Sequence, residues 1–67
     1  MTSEPVEADE VLVERAILVV RQYQTASFSL LQRRLLVSYE TATQLMYILE
    51  ERGIVERGDD GEPRKVL

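Results

Sequence analysis

Between residues 29 and 53 the apolar side chains fall into two short helical stripes, each opened by a serine. This doublet restricts the fold more than any other feature. Leu31, Leu35 and Leu36 mark the first stripe; Ala42, Leu45, Met46 and Leu49 mark the second at i, i+3, i+4, i+7. Ser29-Leu30-Leu31-Gln32 reads as a capping box for a short helix ending near Val37. Ser38 reads as the N-cap of the next helix, which runs to about Arg52, with Gly53 where a left-handed C-cap belongs. Two helices joined by so tight a turn cannot bury their apolar faces alone, so the rest of the chain must cover them.

The flanking segments can do this. Leu12, Ala16, Val19, Val20 and Tyr23 lie on one face of a preceding helix, with Asp9 and Glu10 where negative charge favours its N-terminus. Val11, Val13, Ile17 and Leu18 widen that stripe, so burial on more than one side is expected. The β-branched residues at 11, 13, 19 and 20 suit a strand, but a length of about 15 favours helix. Thr25 to Phe28 breaks the pattern and fits a short extended segment. Ile54-Val55 opens a strand, Gly58-Asp59-Asp60-Gly61-Glu62-Pro63 is a turn by composition, and Arg64 to Leu67 can return as its partner. Helix, short strand, helix, turn, helix, hairpin is the order of a winged helix-turn-helix, mainly α with a small β-hairpin. A three-helix bundle with a disordered tail is the competing architecture. Residues 1–8 read as a disordered acidic tail and residues 9–67 as the winged-helix domain.

Composition excludes several functions. With 67 residues the chain makes one small domain at most. It contains neither cysteine nor histidine, which removes disulfides, thiolate zinc sites and the commonest general base. The carboxylates lie on exposed stretches and no nucleophile has a base beside it, so an enzyme is not expected, nor any cofactor. Met46 belongs to the core stripe rather than to a metal site. The run Asp59-Asp60-Gly61-Glu62 lacks the oxygen spacing of a calcium loop and reads as a solvated hairpin tip. No apolar run approaches the roughly 18 residues of a bilayer span, so a cytoplasmic binding module without membrane contact is expected. The net charge of −4 means that any contact with nucleic acid must rest on local clustering of cations.

The stretch Ala26-Ser27-Phe28-Ser29-Leu30-Leu31-Gln32-Arg33-Arg34-Leu35 closely resembles the γ domain of the FtsK/SpoIIIE DNA translocases, where it reads roughly K-A-S-I-S-x-L-Q-R-R/Q. Glu50 to Val55 and Asp60 to Leu67 resemble the same family's E-x-x-G-I-V and D-G-x-x-P/N-R-E-V-L. The likeness runs over about residues 10–67. It implies a winged-helix domain that reads short polar DNA sequences, orients a motor along the chromosome and contacts a Xer-type recombinase. There is no G-x-x-x-x-G-K-[ST] loop for ATP hydrolysis, so the chain reads as an excised domain or a free-standing relative of the translocase motor. The family's G-Y-N-R-A-A-R departs here to Ser38-Tyr39-Glu40-Thr41-Ala42-Thr43-Gln44. Tyr39 and Ala42 are kept, while Glu40, Thr41 and Gln44 replace an Asn and two Arg, removing the commonest bidentate guanine readers.

The candidate interface has two parts. Arg33-Arg34 with Arg64-Lys65 form the cationic patch expected to touch phosphates, with Ser29 and the start of the second helix adding donors and Gln32 matching the family beside them. Thr41, Thr43, Gln44 and Tyr47 form the outward polar face of the third helix, suited to bases or sugars. The bland reading of the first part is solvated charge paired with Glu50, Glu51 or Glu62; that of the second is an ordinary exposed face. The expected function is weak to moderate, salt-sensitive binding of double-stranded DNA with altered or relaxed sequence preference. The alternative is a winged-helix protein-interaction module, or small regulator, that has lost strong DNA binding.

Overall fold

In the computed structural model residues 10–58 and 62–67 are described. The expected acidic tail, the Asp9 start and the middle of the Gly58–Pro63 turn lie outside them. Three helices form where the periodicity places them: α1 Glu10–Tyr23, α2 Phe28–Leu35 and α3 Tyr39–Glu51. Each touches the other two. Val13, Ala16 and Val20 of α1, Leu31 of α2, and Ala42, Leu45, Met46 and Leu49 of α3 form one core, joined by Ala26 and Val55. Fully burying a side chain such as Leu31 or Leu49 stabilises the fold by about 1.5–3 kcal/mol. The expected widening of the α1 stripe holds for Val13, which is buried, and for Ile17, half-buried against the core, whereas Val11, Leu18 and the expected face residue Tyr23 are exposed. The fully buried line of α1 is 13, 16 and 20, with Leu12 and Ile17 packed partly against the core beside it.

The caps correct the sequence reading at one point. Helix α2 begins two residues before the expected box, with Ser27 as N-cap in extended conformation, its hydroxyl accepting from the Leu30 N–H at 3.1 Å. Ser29 instead sits in the first turn, 3.4 Å from the Ser27 hydroxyl, and Gln32 is out of reach as a reciprocal partner. The start is early because Ala26 is already held in extended conformation, which leaves Ser27 as the last non-helical residue. Helix α2 also stops at Leu35, before Val37: Leu36 is left-handed (φ 58°) and its N–H reaches back to the Gln32 carbonyl. Ser38 caps α3 as expected, accepting from Thr41 N–H at 3.1 Å. At the far end Gly53 (φ 73°) donates to the Glu50 carbonyl and Ile54 to that of Leu49, the paired bonds of a Schellman ending.

The expected hairpin is reduced to single bridges. Val55 pairs with Val66 and Ala26 with Arg64, both antiparallel, and among the described residues no strand forms. The C-terminal segment therefore lies between the other two. Its bonds are Ala26 N–H to Arg64 O (2.9 Å), Arg64 N–H to Ala26 O, Glu56 N–H to Lys65 O (2.9 Å) and Leu67 N–H to Ile54 O (2.9 Å). Segments of three or four residues, diverted at once into helices or turns, leave no room for a ladder. No described helix is long and apolar enough to cross a membrane.

Candidate nucleic-acid interface

Because α3 turns through about 100° per residue, burying Ala42, Leu45, Met46 and Leu49 forces Glu40, Gln44, Tyr47 and Glu51 onto the opposite line. All four are exposed. Gln44 and Tyr47 thus stand where the sequence predicts them. Thr41 and Thr43 do not join that line: they are half-buried on its two flanks, and their hydroxyls are engaged locally. Thr41 Oγ1 accepts from Ser38 Oγ (3.2 Å), and Thr43 Oγ1 donates to the Glu40 carbonyl (2.7 Å). Beyond Thr43 an open groove of about 450 Å³ lies between α3, the start of α2 and the C-terminal segment, bordered by Phe28, Tyr39, Tyr47, Glu50, Gly58 and Arg64. The Phe28 ring meets Tyr39 edge-on, with centroids 5.4 Å apart.

The four expected phosphate contacts separate into three surface cations and one internal one. Arg33 and Arg34 lie in the exposed last turn of α2. The Arg34 guanidinium stands 5.4 Å from the Tyr23 ring centroid at the end of α1, and Arg33 makes no ion pair among the described residues. Lys65 is also exposed and without an ion pair there. Ser29 is exposed on α2 and Gln32 is half-buried.

Arg64 departs from the expectation. It is 6% exposed, its guanidinium 3.0 Å from the Glu50 carboxylate, and it donates to the Gly58 carbonyl at 3.0 Å. The cation also lies 5.5 Å from the Phe28 centroid. Neighbours in an extended segment point to opposite faces, so Arg64 and Lys65 cannot share one patch. Gly58 accommodates the side chain: a Cβ there would stand 2.7 Å from Arg64 Nε. Sequence reasoning offered Glu50 as a partner for these cations only at the surface, and it overlooked Phe28, Gly58 and the burial of this arginine. One signal was available, since Arg64 is two residues from Val66 and so shares the core-facing side with it.

The end of α3 is tied to its surroundings by ion pairs. Glu50 is enclosed with Arg64, Glu51 pairs with Arg57 at 3.1 Å, and Arg52 grips Glu10 of α1 through two bonds of 2.7 and 3.0 Å. Hydrogen bonds from the Arg52 guanidinium, aided by its charge and opposed by some desolvation, hold the Glu10 carboxyl below its ordinary pKa. The same bonds raise that of Arg52. Among the described residues no group of three or more acidic, histidine or cysteine side chains is placed to hold a metal ion.

Comparison with known proteins gives a consistent result. The family model described as "Ftsk gamma domain" matches residues 7–67. The chain is 46% identical over 56 residues (84% of its length) to a protein of Clostridium tetani named DNA translocase FtsK, of which this covers 8%. It is 49% identical over 59 residues (88% of the chain, 7% of the relative) to a protein of the same name from Chlorobaculum tepidum. To DNA translocase SpoIIIE of Bacillus subtilis it is 39% identical over 61 residues, 91% of the chain and 8% of the relative. The chain thus spans less than a tenth of the length of these curated relatives.

Proposed function

The chain belongs to the Ftsk gamma domain family, and on that premise we propose that it is a winged helix-turn-helix module binding double-stranded DNA, with a sequence preference altered or relaxed relative to that of the family. In this reading α3 lies in the major groove. Gln44 and Tyr47, flanked by Thr41 and Thr43, face bases or sugars. Arg33, Arg34 and Lys65 meet phosphates, with Ser29 and Gln32 beside them. Arg64 belongs to the site from within, holding the C-terminal segment against α3. The role is one of binding rather than catalysis, needs no cofactor and is assigned to the cytoplasm.

One observation carries the reading. Arg52, Arg57 and Arg64 are each neutralised by a carboxylate, whereas Arg33 and Lys65 have no such partner among the described residues. Arg34 meets only an aromatic ring. Arg15 and Arg21 of α1 are likewise without a carboxylate partner among the described residues; the other uncompensated cations, Arg33, Arg34 and Lys65, belong to the two segments that flank α3 in the chain. Three phosphate contacts give a slope of log K against log salt of about −2.7, so affinity falls roughly 40-fold between 50 and 200 mM salt. Fluorescence anisotropy on mixed-sequence duplexes measures this, and absence of binding at the lower salt would overturn the reading. Arg33→Ala should weaken binding to all sequences alike and make the slope shallower by about 0.9.

A second reading is favoured by the exposure of Tyr39, Tyr47 and Leu36, since aromatic side chains are enriched at protein interfaces. Here the module docks on a protein such as a Xer-type recombinase or a translocase motor. Loss of that complex in Tyr47→Ala, with no DNA binding by the parent chain, would select it.

A further inference from the structure

We infer that Glu40 and Gln44 make α3 selective for base edges that offer an amino donor in the major groove, cytosine or adenine on the contacted strand; this rests on the DNA-binding reading above. The two residues are one helical turn apart on the exposed line of α3. Glu40 is the second residue of that helix, and the first turn of a recognition helix is where helix-turn-helix proteins contact bases. The Glu40 carboxylate is also uncommitted. Ser38 serves as the cap in its place, the Thr43 hydroxyl takes the Glu40 main-chain oxygen rather than the side chain, and no ion pair involves it among the described residues.

An ionised carboxylate can only accept hydrogen bonds. In the major groove guanine presents N7 and O6, both acceptors, and thymine presents O4 and a methyl group. Glu40 would meet either edge with acceptor against acceptor and an unneutralised charge. Cytosine presents its N4 amino group and adenine its N6 amino group, and both can donate to the carboxylate. Selectivity at this position thus arises chiefly by exclusion of the other two bases. Gln44 can donate to N7 and accept from N6 of adenine at once, the pairing that its amide geometry favours. Four residues of helix advance about 6 Å, close to two base steps of about 3.4 Å each. The two preferred bases should therefore lie two positions apart.

Selection from a randomised duplex library at low salt tests this with the parent chain, Glu40→Gln, Glu40→Arg and Gln44→Ala. The parent should enrich cytosine or adenine over guanine at one position by at least about fivefold, the lower end of what a specific base contact commands. Adenine should be enriched two positions away. Glu40→Gln should bind more tightly overall and, with an amide that donates as well as accepts, lift the exclusion of guanine and thymine at the first position while leaving the second preference unchanged; Gln44→Ala should lose the second only; Glu40→Arg should turn the first towards guanine. Parallel melting curves isolate any effect of Glu40 on helix α3 itself, because a change in stability cannot redirect base identity. Salt-sensitive binding with a flat profile, or with a guanine preference that Glu40→Gln leaves intact, would overturn the inference while the DNA-binding reading stands. No retention of any duplex would overturn both.

Discussion

Replacing Arg64 with alanine should cost the domain much of its stability, although sequence position alone suggests a surface cation. Its side chain is 4% exposed and that of Glu50 11%. The substitution strands the Glu50 carboxylate in a largely enclosed site, removes the donor to the Gly58 carbonyl and empties the space beside the Phe28 ring. Removing one partner of a buried ion pair typically destabilises by about 3–5 kcal/mol. A domain of this length is stable by roughly 3–10 kcal/mol in all, so the variant should melt more than about 12 °C lower or be unfolded at room temperature. Glu50→Ala should be nearly as damaging. The double variant Glu50→Leu with Arg64→Met should recover most of the loss, because an apolar pair of similar volume replaces a buried ion pair at little or no cost. Urea titration followed by far-ultraviolet circular dichroism gives the full double-mutant cycle. An Arg64→Ala chain with an unchanged unfolding midpoint and weakened DNA binding would refute the reasoning, since it would return Arg64 to the surface.

Other changes test the elements one at a time. Ser27→Ala should destabilise by about 1 kcal/mol through loss of the α2 cap, whereas Ser29→Ala should stay within about 0.5 kcal/mol; the reverse order in urea titrations would restore the cap to Ser29. Leu36 is left-handed and 88% exposed, so Leu36→Gly relieves a backbone penalty without uncovering the core and should stabilise by about 0.5–1 kcal/mol. A lower unfolding midpoint would contradict that. The Glu10 carboxyl has a depressed pKa in the folded chain, so the unfolded chain binds its proton more readily. The Glu10–Arg52 contribution is therefore complete above the ordinary carboxylate range and disappears as pH falls through the folded value. Glu10→Gln should flatten that part of the stability profile in acid and leave a smaller difference near neutrality at high salt, since both partners are exposed.

The helices were legible because their signals are local. Ala42, Leu45, Met46 and Leu49 state a period, Ser38 a beginning and Gly53 an end, and the structure uses all six in those roles. Local sequence places the cap of α2 at Ser29, not Ser27, because Ser29 precedes Leu30 and Leu31 and has Gln32 three residues on. The choice between them depends on the pairing of Ala26 with Arg64, a contact across 38 positions that no local pattern contains. The same holds for the candidate site. Gln44 and Tyr47 follow from the helical period, but the internal position of Arg64 depends on Glu50, Phe28 and Gly58, which three separate parts of the chain bring together. An arginine looks alike in sequence whether it faces solvent or a buried carboxylate. Alternation with Val66 was the one local hint.

The guanidinium enclosed between Glu50 and the Gly58 carbonyl has a mechanical consequence. It fastens the last turn of α3 to the C-terminal segment, so the separation between Gln44 and Lys65 is set before any ligand arrives. A ligand bridging both residues would have to still two flexible side chains but no hinge between them. So preorganised a surface surrenders little freedom on association, and three modest charges can then suffice where a looser scaffold would require more.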